Sequence, residues 1–161
     1  MRRKDRLISN IEEIISIMNK CEVLHLAMVD SNTPYVVPVN FGFLHEGKHL
    51  TLYIHGANEG RKIEILKKNP QVCAQMDCDH SPILGSDAKP CAFSYIYSSV
   101  ILEGKAQFVE NNDEKSFALN KIIYQCTHEV KTYVFPEVML NKTCVIKINV
   151  DNISAKAHTK L

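Results

Sequence analysis

Between Val23 and His55 three β-prone runs follow one another with only turn residues between them, and that succession constrains the fold more than any other feature of the chain. Residues 23–29 are apolar and β-prone, Asp30-Ser31-Asn32 is turn chemistry, and residues 34–43 resume the pattern. His45-Glu46-Gly47-Lys48 turns the chain again before a third strand at residues 50–55. Consecutive hairpins argue against a doubly wound parallel sheet and favour a small antiparallel barrel.

The rest of the chain fits that frame. Ser9 with Glu12 reads as a capping box, and Ile11, Ile14, Ile15 and Met18 recur at helical spacing, so residues 10–20 are predicted to be an amphipathic helix. Residues 61–68 have room for two helical turns before Asn69-Pro70 ends them. Residues 71–77 read as a fourth strand, 78–90 as a long loop, and 92–109 as one long strand bent at Gly104. An Asn111/Asn112 cap opens a helix with the stripe Ala118, Leu119, Ile122, Ile123 and Cys126. Cys144, Ile146, Ile148 and Val150 alternate with polar-leaning neighbours in a last, half-buried strand. The sum is a mainly β fold, a six-stranded antiparallel barrel with flanking helices, in one domain over residues 1–161.

Charge and cysteine usage narrow the function. Lys and Arg number 19 and Asp and Glu 18, a formal net charge of +1, so no overall field attracts nucleic acid or an acidic membrane. An anionic ligand must be held by a local cluster of donors. Six cysteines are sparse for a chain of 161 residues, and the opening Met1-Arg2-Arg3-Lys4-Asp5-Arg6 leads into no apolar secretory core. No apolar run approaches the ~20 residues that span a bilayer. A cytoplasmic protein with reduced thiols is expected, most of those thiols serving as small buried hydrophobes.

Three segments are candidates for binding. In His55-Gly56-Ala57-Asn58-Glu59-Gly60-Arg61-Lys62 a strand end, two glycines and a helix start present free backbone N–H groups. Arg61 and Lys62 have the wrong sign for a helix N-terminus unless an anion sits there; the alternative is a solvated helix face. In residues 34–43, period two puts Tyr35, Val37, Val39, Phe41 and Phe43 on a core face and Val36, Pro38, Asn40 and Gly42 on the other. Pro38 cannot donate to a ladder, so this is an edge or bulged strand, with Asn40 beside backbone left free for a ligand or for solvent. In residues 95–100, Tyr95, Tyr97 and Ser99 share one face and Ser98 the opposite one, two adjacent hydroxyls that bond a ligand or face water. A zinc site at Cys73, Cys78, His80 and Cys91 is disfavoured, because extended residues 73 and 78 point to opposite faces about 16 Å apart.

Taken in order, Met1 to Arg6, residues 34–43, His55-Gly56-Ala57 with Glu59-Gly60-Arg61-Lys62-Ile63, Asn69-Pro70-Gln71-Val72-Cys73 and Tyr97-Ser98-Ser99-Val100 resemble the nitroimidazole-resistance branch of the pyridoxamine 5′-phosphate oxidase-like flavoproteins. The resemblance runs from residue 1 to about residue 156 and departs from the family pattern at Ser98 and at Ala155-Lys156. It implies a homodimeric split β-barrel with FMN in clefts at the dimer interface. It also implies that Pro38, Val39 and Asn40 line the flavin ring, that Tyr53, Ile54 and His55 flank it, that Arg61 and Lys62 bind its phosphate, and that Ser98 and Ser99 lie near it. His55 is the implied catalytic residue, a substrate-side contact. A true pyridoxamine phosphate oxidase is disfavoured, since no arginine follows Arg61 to supply a second phosphate grip. An FMN-dependent reductase acting on a small acceptor such as a nitroaromatic is the expected function. The alternatives are a flavin- or haem-binding barrel without turnover, and a thiol or zinc interaction protein using the 78–90 loop.

Overall fold

The computed structural model describes residues 3–158; Met1 and Arg2, the start of the basic opening run, and residues 159–161 lie outside them. In chain order the elements are β1 (Leu7–Ile8), α1 (Ile11–Lys20), β2 (Leu24–Asp30), β3 (Thr33–Val39), β4 (Phe41–Glu46), β5 (His49–Gly56), α2 (Arg61–Lys68), β6 (Gln71–Ile83), β7 (Ser94–Val109), α3 (Asn112–Thr127), α4 (Glu137–Lys142) and β8 (Cys144–His158), with 3₁₀ turns at Lys4–Arg6 and Pro90–Ala92. All strand pairs are antiparallel, in the order β3-β2-β6-β7-β8-β5-β4, and β1 adds to β8. The fold is a mainly β split barrel with flanking helices.

Among the described residues there are eight strands rather than six. One addition is β1, whose two residues are too short for any periodicity to register. The other comes from the run at 34–43, which is two strands. β3 pairs only with β2 and β4 only with β5, so the chain passes from one edge of the sheet to the other through Asn40 alone. A sheet whose two edge strands are joined by one residue must curl until its edges meet there, and no ladder closes the seam. Side-chain alternation still runs through the crossing, as period two predicts: Tyr35, Val37, Val39, Phe41 and Phe43 pack on the main core and Phe41 stacks on Phe43.

That core fills the barrel with Met18, Leu24, Leu26, Met28, Phe41, Leu52, Ile54, Met76, Leu102, Ile146 and Ile148, all essentially shut off from water. A second cluster, Tyr53, Val109, Ala118, Ile122 and Val145, joins α3 to the outside of the sheet. The buried stripe of α3 is Lys115, Ala118, Ile122 and Gln125, whereas Cys126 is exposed. Gln125 and Lys115 are buried because each caps a helix end: Gln125 Nε2 donates to the carbonyls of Met18 (3.0 Å) and Cys21 (2.9 Å), and Lys115 Nζ to those of Leu140 (2.9 Å) and Thr143 (3.1 Å).

Other boundaries move for local reasons. Asn10, not Ser9, caps α1, its side chain accepting from the N–H groups of Glu12 and Glu13. The strand expected to end at residue 77 runs on to Ile83, because Asp79 takes a left-handed conformation (φ 61°) and the ladder to β7 resumes past a bulge at Cys78/Ser81. The long loop therefore shrinks to residues 84–93. At the glycine where a bend is expected, the pairing of β7 with β8 shifts register between Glu103 and Gly104, while its pairing with β6 there runs on unbroken. The last strand extends eight residues beyond Val150, to His158. Cys21 and Cys144 are buried, Cys73 and Cys78 half-buried, and Cys91 and Cys126 exposed, so two of the six thiols rather than most are fully buried; all six are free. No helix of the described residues is long and apolar enough to cross a membrane.

Candidate functional site

The seam of the barrel opens into a cleft of about 370 Å³ lined by Val23, Pro38, Val39, Asn40 and His55. Each wall follows from the fold. Pro38 and Val39 close β3 opposite His25 and Leu24, and β3 is the free edge that a proline requires. His55 stands near the end of β5, opposite Val145 of β8, on the far side of the seam. Four of the residues expected to contact a ligand thus come together from the two sides of one gap. Val23 is a fifth wall residue that carried no signal, being one more valine ahead of a strand.

The cleft carries an unsatisfied polar group. His55 is half-buried, and its Nδ1 is shielded from water with no hydrogen-bond partner among the described residues. Burial, and after it the charge of Lys62, holds the imidazole below its ordinary value of 6.5. Lys62 is also pushed down by burial, makes no ion pair with a carboxylate among the described residues, and lies within contact range of Gly56, the residue after His55. An imidazole biased to its neutral form and an ammonium without an ion-pair partner among the described residues thus stand together. The backbone adds to this. Gly60 caps α2 at φ 118°, a conformation closed to ordinary L-residues, and no side chain caps the helix, so the N–H groups of its first turn remain open. An anion placed beside Lys62 and the start of α2 would pair with the ammonium and satisfy those donors.

Arg61 is placed differently from the free phosphate fork that its position predicts. Its Nε and Nη2 each lie 3.3 Å from Asp30 Oδ2, and its guanidinium covers the Tyr35 ring at 4.3 Å. Lys62 is the unengaged cation of the pair. Tyr53 and Ile54 turn away from the cleft: Tyr53 is buried under α3 in edge contact with Phe117 (5.9 Å), and Ile54 is wholly inside the barrel. Ser98 and Ser99 are buried at the other end of the sheet, opposite Ala157 and Lys156, and the Ser98 hydroxyl donates to Asp79 Oδ2 (3.0 Å). These two serines and the His55 cleft do not meet within one chain. Among the described residues no three His, Cys, Asp or Glu side chains stand together as a metal site.

The family model described as pyridoxamine 5′-phosphate oxidase matches residues 10–157. Among solved structures, one described as a 5-nitroimidazole antibiotic resistance protein from Bacteroides thetaiotaomicron is 29% identical over 94% of this chain and 86% of that one, with a TM-score of 0.78. The flavocytochrome Anf3 from Azotobacter vinelandii is similar in fold at 20% identity, covering 99% and 72% of the two chains with a TM-score of 0.76. An FAD- and haem-binding protein from Mycobacterium smegmatis is similar at 18% identity, covering 96% and 74%, with a TM-score of 0.78. Among curated proteins none matches the chain.

Proposed function

The chain belongs to the pyridoxamine 5′-phosphate oxidase family, and from that premise we propose that residues 1–161 form one flavin-binding domain that holds FMN in the seam cleft and acts as a reductase of a small acceptor such as a nitroaromatic. The observation that carries this reading is Lys62, an amine with no carboxylate partner among the described residues, beside the buried unpaired ring nitrogen of His55 and the open N-terminus of α2. That donor set fits the phosphate of FMN. Bound flavin would supply the electron transfer, and the chain's residues bind and orient it.

In this reading Lys62 and the first-turn N–H groups of α2 take the phosphate, with Arg61 held ready on Tyr35 and Asp30. Pro38, Val39 and Asn40 flank the ring from the β3 edge, where backbone groups are free of a ladder. Tyr53 and Ile54 contribute backbone rather than side chains. His55 faces the remaining space, where the acceptor binds. Ser98 and Ser99 reach such a site only from a second copy of the chain, so the proposal includes a homodimer with a flavin at each interface cleft.

The test compares FMN with riboflavin, which lacks the phosphate, by calorimetric titration. Wild-type protein is expected to prefer FMN, and Arg61→Ala with Lys62→Ala is expected to lose about 3 kcal/mol of FMN affinity, as for two charge-assisted contacts, while riboflavin binding changes little. FMN affinity within error of wild type in the double variant would refute the phosphate assignment. Reduction of a nitroaromatic by flavin-loaded protein, compared between wild type and His55→Ala, tests the role of the histidine; unchanged reduction would exclude it.

A further inference from the structure

The C-terminus of α1 brings two of the free thiols together, at a place the flavin reading does not use. Cys21 closes α1: its N–H donates to the Met18 carbonyl and its Sγ to the Ile17 carbonyl at 3.3 Å. Cys78 of β6 reaches the same Ile17 carbonyl, its Sγ 3.8 Å away. One oxygen thus serves two sulfurs from distant parts of the chain, and the thiols are also hydrogen-bonded to each other. Cys78 pairs with Ser98 and points with it to the α1 side of the sheet, the face opposite Ser99 and Lys156.

The backbone on both sides is held in place. Lys20 and Asp79, the chain neighbours of the two cysteines, form an ion pair at 3.3 Å, and Gln125 Nε2 holds the carbonyls of Met18 and Cys21. Exposure then divides the pair, since Cys21 is closed to water at 1% exposure whereas Cys78 is half-buried and open to a small reagent. Burial, and for Cys78 also the Asp79 carboxylate, holds both thiols above their ordinary value. Their mutual hydrogen bond raises Cys21 and lowers Cys78, and the Lys20 ammonium lowers Cys78 further, so Cys78 ionises first.

We propose that Cys78 and Cys21 are a modification site, which a peroxide converts to one intramolecular disulfide by attacking at Cys78, with Cys21 as the resolving thiol. The Cys78 thiolate attacks one peroxide oxygen, the O–O bond breaks, and the departing hydroxide takes up the proton that Cys78 released, leaving a sulfenic acid. The Cys21 sulfur then attacks the Cys78 sulfur; the S–S bond forms, the S–O bond breaks, and the hydroxide leaves as water with the Cys21 proton. Two thiols and one hydrogen peroxide give one disulfide and two waters, the electron pair passing from sulfur to oxygen. The raised thiols make this slow, a response to sustained oxidant. The product ties the end of α1 to β6 and, through it, Val23, a wall of the seam cleft two residues past Cys21. No flavin takes part, so this proposal and the flavin reading fail independently.

The experiment oxidises the full chain carrying Cys91→Ser and Cys126→Ser, which removes the two exposed thiols, with hydrogen peroxide and maps disulfides by mass spectrometry of an unreduced digest. A linked peptide joining Cys21 to Cys78 is expected as the main crosslink, reversed by dithiothreitol. Adding Cys21→Ala should abolish it and leave Cys78 as a sulfenic acid that dimedone labels. Adding Cys78→Ala instead should leave Cys21 unlabelled, because the oxidant does not reach it. The parent chain carries the decisive result even where one of these core variants fails to fold. Oxidation that crosslinks Cys73 or Cys144 in preference, that yields no linkage between Cys21 and Cys78, or that labels Cys21 in Cys78→Ala would overturn the proposal.

Discussion

His55 and Lys62 dominate the chemistry of the cleft because each is held away from its ordinary protonation by the same confinement. His55 is pushed below 6.5 by burial and by Lys62, so its folded state resists protonation more than its unfolded state does. The resulting stability is fully present above pH 6.5 and is lost as pH falls from there through the lowered folded value. His55→Gln removes this dependence, and the gap between the two proteins in urea melts should therefore narrow or reverse below pH 6.5. An anion bound beside Lys62 should raise the His55 value, which proton NMR of its ring reads with and without FMN; a value unmoved by FMN would argue against a shared site. Lys62→Ala should weaken FMN more than Arg61→Ala, because Asp30 and Tyr35 already engage Arg61. The identity of these residues was legible from the strand–glycine–helix pattern. Their division of labour was not, since Asp30 lies thirty-one residues upstream of Arg61 and meets it only through the fold.

Among the elements, the turn before α2 and the cap of α1 give sharp expectations. Gly60 at φ 118° admits no Cβ without strain, although space is open around it. Gly60→Ala should cost about 1–3 kcal/mol of stability and weaken FMN binding by re-aiming the first turn of α2. Asn10→Ala should cost about 1 kcal/mol and Ser9→Ala almost nothing, because Asn10 makes both capping bonds; denaturant midpoints check both. Period two identified the faces of residues 35–43 correctly, since side-chain alternation is a local property. It did not reveal that the run changes partners at Asn40, because pairing partners are set by strands distant in sequence. The 78–90 segment read as a loop for a related reason: its Ser, Pro and Asp residues carry turn chemistry, but Asp79 absorbs the irregularity in one left-handed residue and the ladder resumes.

For the whole molecule, the decisive property is a sheet that curls far enough to bring its two edges together and then leaves them unjoined. A closed barrel of this size would fill its interior with side chains and leave no seam. Here the seam exposes β3 backbone, Asn40 and His55 on either side of one cleft. The barrel class was legible in the spacing of strands and turns, and the seam followed from topology alone. Whether this cleft holds a flavin is read from the visible absorption spectrum of the freshly purified full chain, followed by reconstitution with FMN. The double band of oxidised flavin is expected, present as purified or restored by added FMN and lost with Arg61→Ala plus Lys62→Ala. A haem Soret band instead, or neither band and no uptake of FMN, would contradict it.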